Sequence, residues 1–96
     1  MLVLVTYDVA TKSASGQKRL RKVAKICENY GLRVQNSVFE CIVDATQFKQ
    51  LKLQLTDIID EEMDSLRFYQ LGNQYKSKVE HIGAKESFNV EETLIL

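Results

Sequence analysis

Asp8 is the residue of this chain best placed to do chemistry. It closes the apolar run Leu-Val-Leu-Val-Thr-Tyr of residues 2–7, so a carboxylate stands where a strand gives way to a loop. A carboxylate at such a point can take a hard cation or satisfy polar backbone groups. Mg2+ needs one or two carboxylates and keeps several waters, so one Asp per chain suffices if a second copy brings another. A cation held there can activate water and offset charge that develops on a phosphate. From spacing alone, an Asp at a strand end is more commonly a turn former. Both roles stand at this point.

The second cluster is basic. Lys18, Arg19, Arg21, Lys22 and Lys25 fall within residues 17–30 with Glu28 the single acid, and Arg33 follows. Cations without acidic partners one turn away repel one another. Contact with phosphates would explain that tolerance; a solvated helix face is the plain alternative. Tyr7, Ser37 and Phe39 could flank a site. For Tyr7 and Phe39 the simpler role is packing. Ser37 could bond a phosphate or close a turn, and no GxSxG or Cys–His pattern makes it a nucleophile.

Other chemistry-bearing residues point to nothing sharper. Asp60, Glu61, Glu62 and Asp64 sit where a helix should end and oppose its dipole, which reads as a solvated face or a partner contact. His81 is the single histidine and reads as a surface residue. Cys27 and Cys41 form no CxxC and read as small buried hydrophobes. The glycines are isolated, so no phosphate-cradling loop is present.

Ninety-six residues make one domain, 1–96. No apolar run approaches the roughly 18 residues of a membrane span. The N-terminal run has strand character and no basic leader, so a cytoplasmic protein without a membrane partner is expected. The net charge of zero hides a split. Residues 9–33 hold seven cations against Glu28 alone, whereas residues 34–66 hold seven acids against Lys49 and Lys52. Such a polarised surface could meet phosphates on one side and a basic partner, or its own twin, on the other.

The elements that position these residues follow from periodicity. Residues 2–7 are a strand and residues 9–16 a small-residue loop, with Ser13 and Ser15 as candidate caps. Leu20, Val23, Ala24, Cys27 and Tyr30 make the buried stripe of a helix over 17–30, with Gly31 as its C-cap. Residues 32–43 form two strands split at Asn36-Ser37. Phe48, Leu51, Leu55, Ile58 and Ile59 mark a helix over 46–61, and residues 66–71 a further strand. A short strand is expected over 79–83, within a C-terminal extension of residues 73–96. The order β-α-β-β-α-β is an α+β, ferredoxin-like sandwich with an extra C-terminal strand. Two strands are apolar on both faces, and an uncovered apolar sheet face is uncommon in a monomer, so a homodimer is expected.

Tyr7-Asp8 at a strand end, then a basic helix, then Arg33-Val34-Gln35-Asn36-Ser37-Val38-Phe39, closely resembles the CRISPR-associated protein 2 family, over about residues 1–71. That family carries a YD at the end of its first strand and an R-[VI]-Q-x-S-V-F element after its first helix. The resemblance implies a homodimer that acts in spacer acquisition, the adaptation step of antiviral defense, with the CRISPR integrase as partner. It implies a metal-dependent endonuclease on single-stranded RNA or duplex DNA, with Asp8 as the catalytic Mg2+ ligand. Arg19, Arg21 and Arg33, with Lys18 and Lys22, would hold the nucleic-acid backbone. A non-catalytic adaptor that bridges integrase dimers and binds duplex DNA is the rival.

Overall fold

The computed structural model describes residues 1–10 and 13–83. Four strands and two helices occur in the order β1 (Leu2–Asp8), α1 (Ala14–Glu28), β2 (Gly31–Gln35), β3 (Val38–Ile42), α2 (Ala45–Ile58) and β4 (Ser65–Gly72). A short 3-10 helix, Tyr75–Ser77, follows. The sheet order is β2-β3-β1-β4, and every neighbouring pair is antiparallel. This is the expected ferredoxin-like α+β fold.

The core lies between the helices and one face of the sheet. Val3, Val5 and Tyr7 alternate along β1 and meet Phe39 and Cys41 of β3 beneath Leu20, Val23, Ala24 and Cys27 of α1. Phe48, Leu51 and Leu55 of α2 complete it, all buried. Leu4, Thr6 and Asp8 therefore face the other way. On that open face Leu4, Val38 and Ile42 are half-buried, with Glu40 among them. Burial pushes the Glu40 carboxyl up, and the charge of His81 partly offsets this.

Local chemistry sets the helix ends and moves several expected boundaries. The Ser13 hydroxyl accepts from Gly16 N–H at 3.0 Å, so α1 begins at Ala14 instead of residue 17. At α2, Asp44 accepts from Gln47 N–H at 2.7 Å while the Gln47 side chain accepts from Asp44 N–H at 3.0 Å. This reciprocal cap starts the helix at Ala45. The helix stops at Ile58 instead of residue 61, because Ile59 turns extended and Asp60 N–H donates to the Asp64 carboxylate at 3.1 Å.

Gly31 is not the cap that the sequence leads one to expect. Asn29 ends α1, and Gly31 opens β2. A Cβ on Gly31 would fall 1.8 Å from Glu40 O, so glycine is needed there for strand approach and not for a left-handed turn. The expected strand over residues 79–83 does not form. A strand exists through its pairing, and no described strand pairs with this segment. The apolar end of the chain, Leu94 to Leu96, lies outside the described residues.

Candidate functional site

Asp8 ends β1 with its side chain exposed on the open face. The register places Asp8 opposite Ser65, Thr6 opposite Arg67 and Leu4 opposite Tyr69, so these side chains share that face. Tyr7 N–H donates to Ser37 O at 2.9 Å, which draws the β2–β3 turn to the same end of the sheet. The result is a shallow groove lined by Thr6, Tyr7, Asp8, Ser37, Ser65, Arg67 and Tyr69. Its donors are one carboxylate and several hydroxyls beside one guanidinium.

Directly beneath lies a buried carboxylate. Asp64 is only 8% exposed. It accepts from the Tyr7 hydroxyl, from Arg19 Nε at 2.8 Å and Nη2 at 3.2 Å, from Ala10 N–H at 3.3 Å and from Asp60 N–H at 3.1 Å. Burial alone would push the Asp64 carboxyl up. The hydrogen bonds from Arg19, Tyr7 and the two backbone N–H groups more than offset it and hold the group well below the usual carboxylate range. Burial and the bond to Asp64 push the Tyr7 phenol up to about 12. The bond to Asp64 likewise raises the Arg19 guanidinium. The cluster ties together the residue before Asp8, the loop after it, the residue before Ser65, and α1.

The expected site residues therefore separate into three groups. Asp8 and Ser37 meet in the groove. Tyr7 and Phe39 are core residues, essentially inaccessible, and do not flank a surface site with their rings. Arg19 is turned inward to Asp64, the single ion pair among the described residues. A phosphate would have to displace a buried carboxylate to reach it. Arg33 donates from Nε and Nη2 to Asn36 O at 2.8 and 2.6 Å and lies over the Phe39 ring, so it pins the β2–β3 turn.

The exposed cations form the third group. Lys18, Arg21, Lys22 and Lys25 recur at i, i+3, i+4 and i+7 along the outer side of α1, all exposed. None of them pairs with a carboxylate among the described residues. Because α1 packs on the sheet face opposite Asp8, the stripe and the groove lie on opposite sides of one chain.

Asp64, Ser65, Arg67 and Tyr69 escaped the sequence reading. Asp64 looked like one of four surface acids. The one available signal was the phase of Arg19, which falls one turn before Val23 and two before Cys27 and so borders the buried stripe. Cys27 and Cys41 are buried and unpaired, as expected for small core residues.

The sequence matches the family model described as CRISPR associated protein Cas2 over residues 1–79. It is 72% identical over 95 residues to the CRISPR-associated endonuclease Cas2 of Halalkalibacterium halodurans, covering 99% of each chain. It is 56% identical over 96 residues to the CRISPR-associated endoribonuclease Cas2 of Chlorobaculum tepidum, covering 100% of each. Among solved structures, that of Streptococcus pyogenes Cas2 at pH 6.5 is similar with a TM-score of 0.80 and 58% identity, over 86% of this chain and 100% of that one.

Proposed function

Because this chain belongs to the CRISPR-associated protein Cas2 family, we propose that it is a Mg2+-dependent endonuclease, cutting RNA or duplex DNA, that acts in CRISPR spacer acquisition with the CRISPR integrase. The observation that carries the reading is the exposed Asp8 carboxylate in a groove otherwise lined by hydroxyls and one guanidinium. The names of the relatives, an endonuclease and an endoribonuclease, support the same class of reaction.

The donor set suits a hard cation. Its oxygens are a carboxylate and hydroxyls, and no cluster of three or more His, Cys, Asp or Glu gathers among the described residues. One Asp per chain fits Mg2+ if a second copy supplies the other carboxylate. Asp8 of two copies would hold the ion, whose chemistry when bound is to acidify a water and offset charge on the phosphate. The chain's own residues do the rest. Asp64 and Arg19 fix the two strand ends from below, and Arg33 fixes the turn that carries Ser37. Lys18, Arg21 and Lys22 hold the backbone of a bound duplex. Arg19 thus acts by shaping the site, whereas Arg33, exposed and with no ion pair among the described residues, pins the turn and remains open to a phosphate.

The half-buried Leu4, Val38 and Ile42 on the open face support a homodimer, since a second copy would cover them. A second reading is a non-catalytic adaptor that binds duplex DNA and bridges integrase copies. The placement of the basic stripe on the side away from Asp8 favours it, because duplex held there need not reach the carboxylate.

Asp8→Asn separates the two readings. Cleavage of labelled single-stranded RNA and duplex DNA is measured with Mg2+ and with EDTA. The exposed, nearly isosteric change should keep the fold and binding. It should lower cleavage at least about tenfold, some 1.4 kcal/mol in the barrier. Full activity in Asp8→Asn would reject the metal role and leave the adaptor.

A further inference from the structure

Arg67 is the one cation of the Asp8 groove, and its surroundings are unusual for a surface arginine. It lies on β4, an edge strand of the described sheet, directly across from Thr6 and two residues along from the Asp8–Ser65 pair, on the same face. Such diagonal cross-strand neighbours stand about 7–8 Å apart at the backbone, within reach of a long side chain. Yet Arg67 makes no ion pair with Asp8. The single ion pair among the described residues is Arg19–Asp64. Arg67 Nη1 instead donates to the Tyr69 hydroxyl at 3.3 Å.

That arrangement leaves a full positive charge balanced by no paired carboxylate among the described residues. A guanidinium has five N–H donors, and the Tyr69 contact occupies one. Arg67 lines the groove together with the hydroxyl-bearing Thr6, Ser37 and Ser65. A carboxylate and a guanidinium side by side, both exposed and not paired to each other, together complement a group that takes a cation on one oxygen and hydrogen bonds on another. A phosphodiester is such a group, and an arginine fork grips its two non-bridging oxygens in parallel. Tyr69, 43% exposed, adds an aromatic face next to that position, on which an unpaired base can stack.

We propose that Arg67 holds the phosphodiester in the Asp8 groove, with Tyr69 setting the direction of its guanidinium. This rests on the reading of Asp8 as the reaction centre and supplies the phosphate contact that Arg19 cannot make. The competing role for Arg67 is to discourage strand addition at an edge or to contact a second copy of the chain.

The test is run in EDTA, where binding is read without Mg2+. Affinities for a labelled 20-nucleotide RNA and a 20-base-pair duplex are measured against NaCl for the parent, Arg67→Ala, Arg67→Lys and Tyr69→Phe. Arg67→Ala should weaken binding about tenfold at low salt. It should flatten the log–log salt slope by about 0.7 for RNA and 0.9 for duplex, one counterion's worth. Arg67→Lys should regain the slope but not the full affinity, because an ammonium is a point charge without the planar fork. Tyr69→Phe should keep the slope and weaken RNA binding a few-fold. An unchanged slope in Arg67→Ala overturns the proposal, as does a change in its sedimentation mass, which would make Arg67 a subunit contact. Failure of the Asp8 reading looks different. Asp8→Asn would then go on cutting in Mg2+ while Arg67→Ala still lost its slope.

Discussion

Removing the Asp64 carboxylate should unfold this domain far more readily than removing any of the neighbouring acids. Five donors converge on Asp64, two of them from Arg19, whose side chain is 17% exposed and can turn to water when the acceptor goes. The Tyr7 hydroxyl is buried and would be left without its partner, and the Ala10 and Asp60 N–H groups would lose theirs. Breaking a buried ion pair from one side costs about 3–5 kcal/mol. In a domain of this size each kcal/mol moves Tm by about 4–8 °C, so Asp64→Ala should melt at least about 12 °C below the parent. Urea unfolding at fixed protein concentration gives the free energy directly, and Arg19→Ala with the double variant closes a cycle. Because the two residues share one network, the cycle should show a coupling of about 1–3 kcal/mol. The folded state depresses the Asp64 pKa, so its stabilisation is present above the ordinary carboxylate range. The coupling should be constant from neutral pH to about pH 5, then shrink as pH falls below the unfolded value near 4. A loss under about 1 kcal/mol for Asp64→Ala, or an additive cycle at pH 7, would refute the account and return Asp64 to the solvated surface.

Two further outcomes concern surfaces. The triple change of Lys18, Arg21 and Lys22 to Ala should leave Tm within a few degrees, because all three are exposed and relieve mutual repulsion when removed. It should also flatten the salt dependence of duplex binding by nearly three counterions, and an unaltered slope would make the stripe a solvated face. Sedimentation at micromolar concentration should give about twice the 11.0 kDa chain mass, and a clean monomer would remove the second carboxylate that the metal reading requires.

The helices were legible because their apolar residues recur at the helical period: Leu20, Val23, Ala24 and Cys27 are buried in α1 as the stripe required. The strands were legible from continuous apolar runs and from the Asn36-Ser37 break. Boundaries were less so. Gly31 carries the composition of a cap, and only its approach to Glu40 O shows that it serves a strand. Ser13 was readable as a cap, yet the small residues after it hid that α1 begins at once, at Ala14.

By itself the sequence determined which residues could carry charge and where: a carboxylate at the end of β1, and Lys18, Arg21, Lys22 and Lys25 on the outside of α1. These follow from local rules, strand ends and helical phase, which act over a few residues. The tertiary structure alone decided what each charge meets. Asp64 is separated from Arg19 by 45 residues and from Tyr7 by 57, and no local pattern encodes that meeting. Burial is a property of the packed chain: the same carboxylate that is one of four surface acids by sequence becomes a buried acceptor of five hydrogen bonds once β4 lies against β1. The groove is of the same kind. Asp8, Ser37 and Arg67 share one end of the sheet because two antiparallel registers place them there, and register is fixed by which face of each strand must be buried.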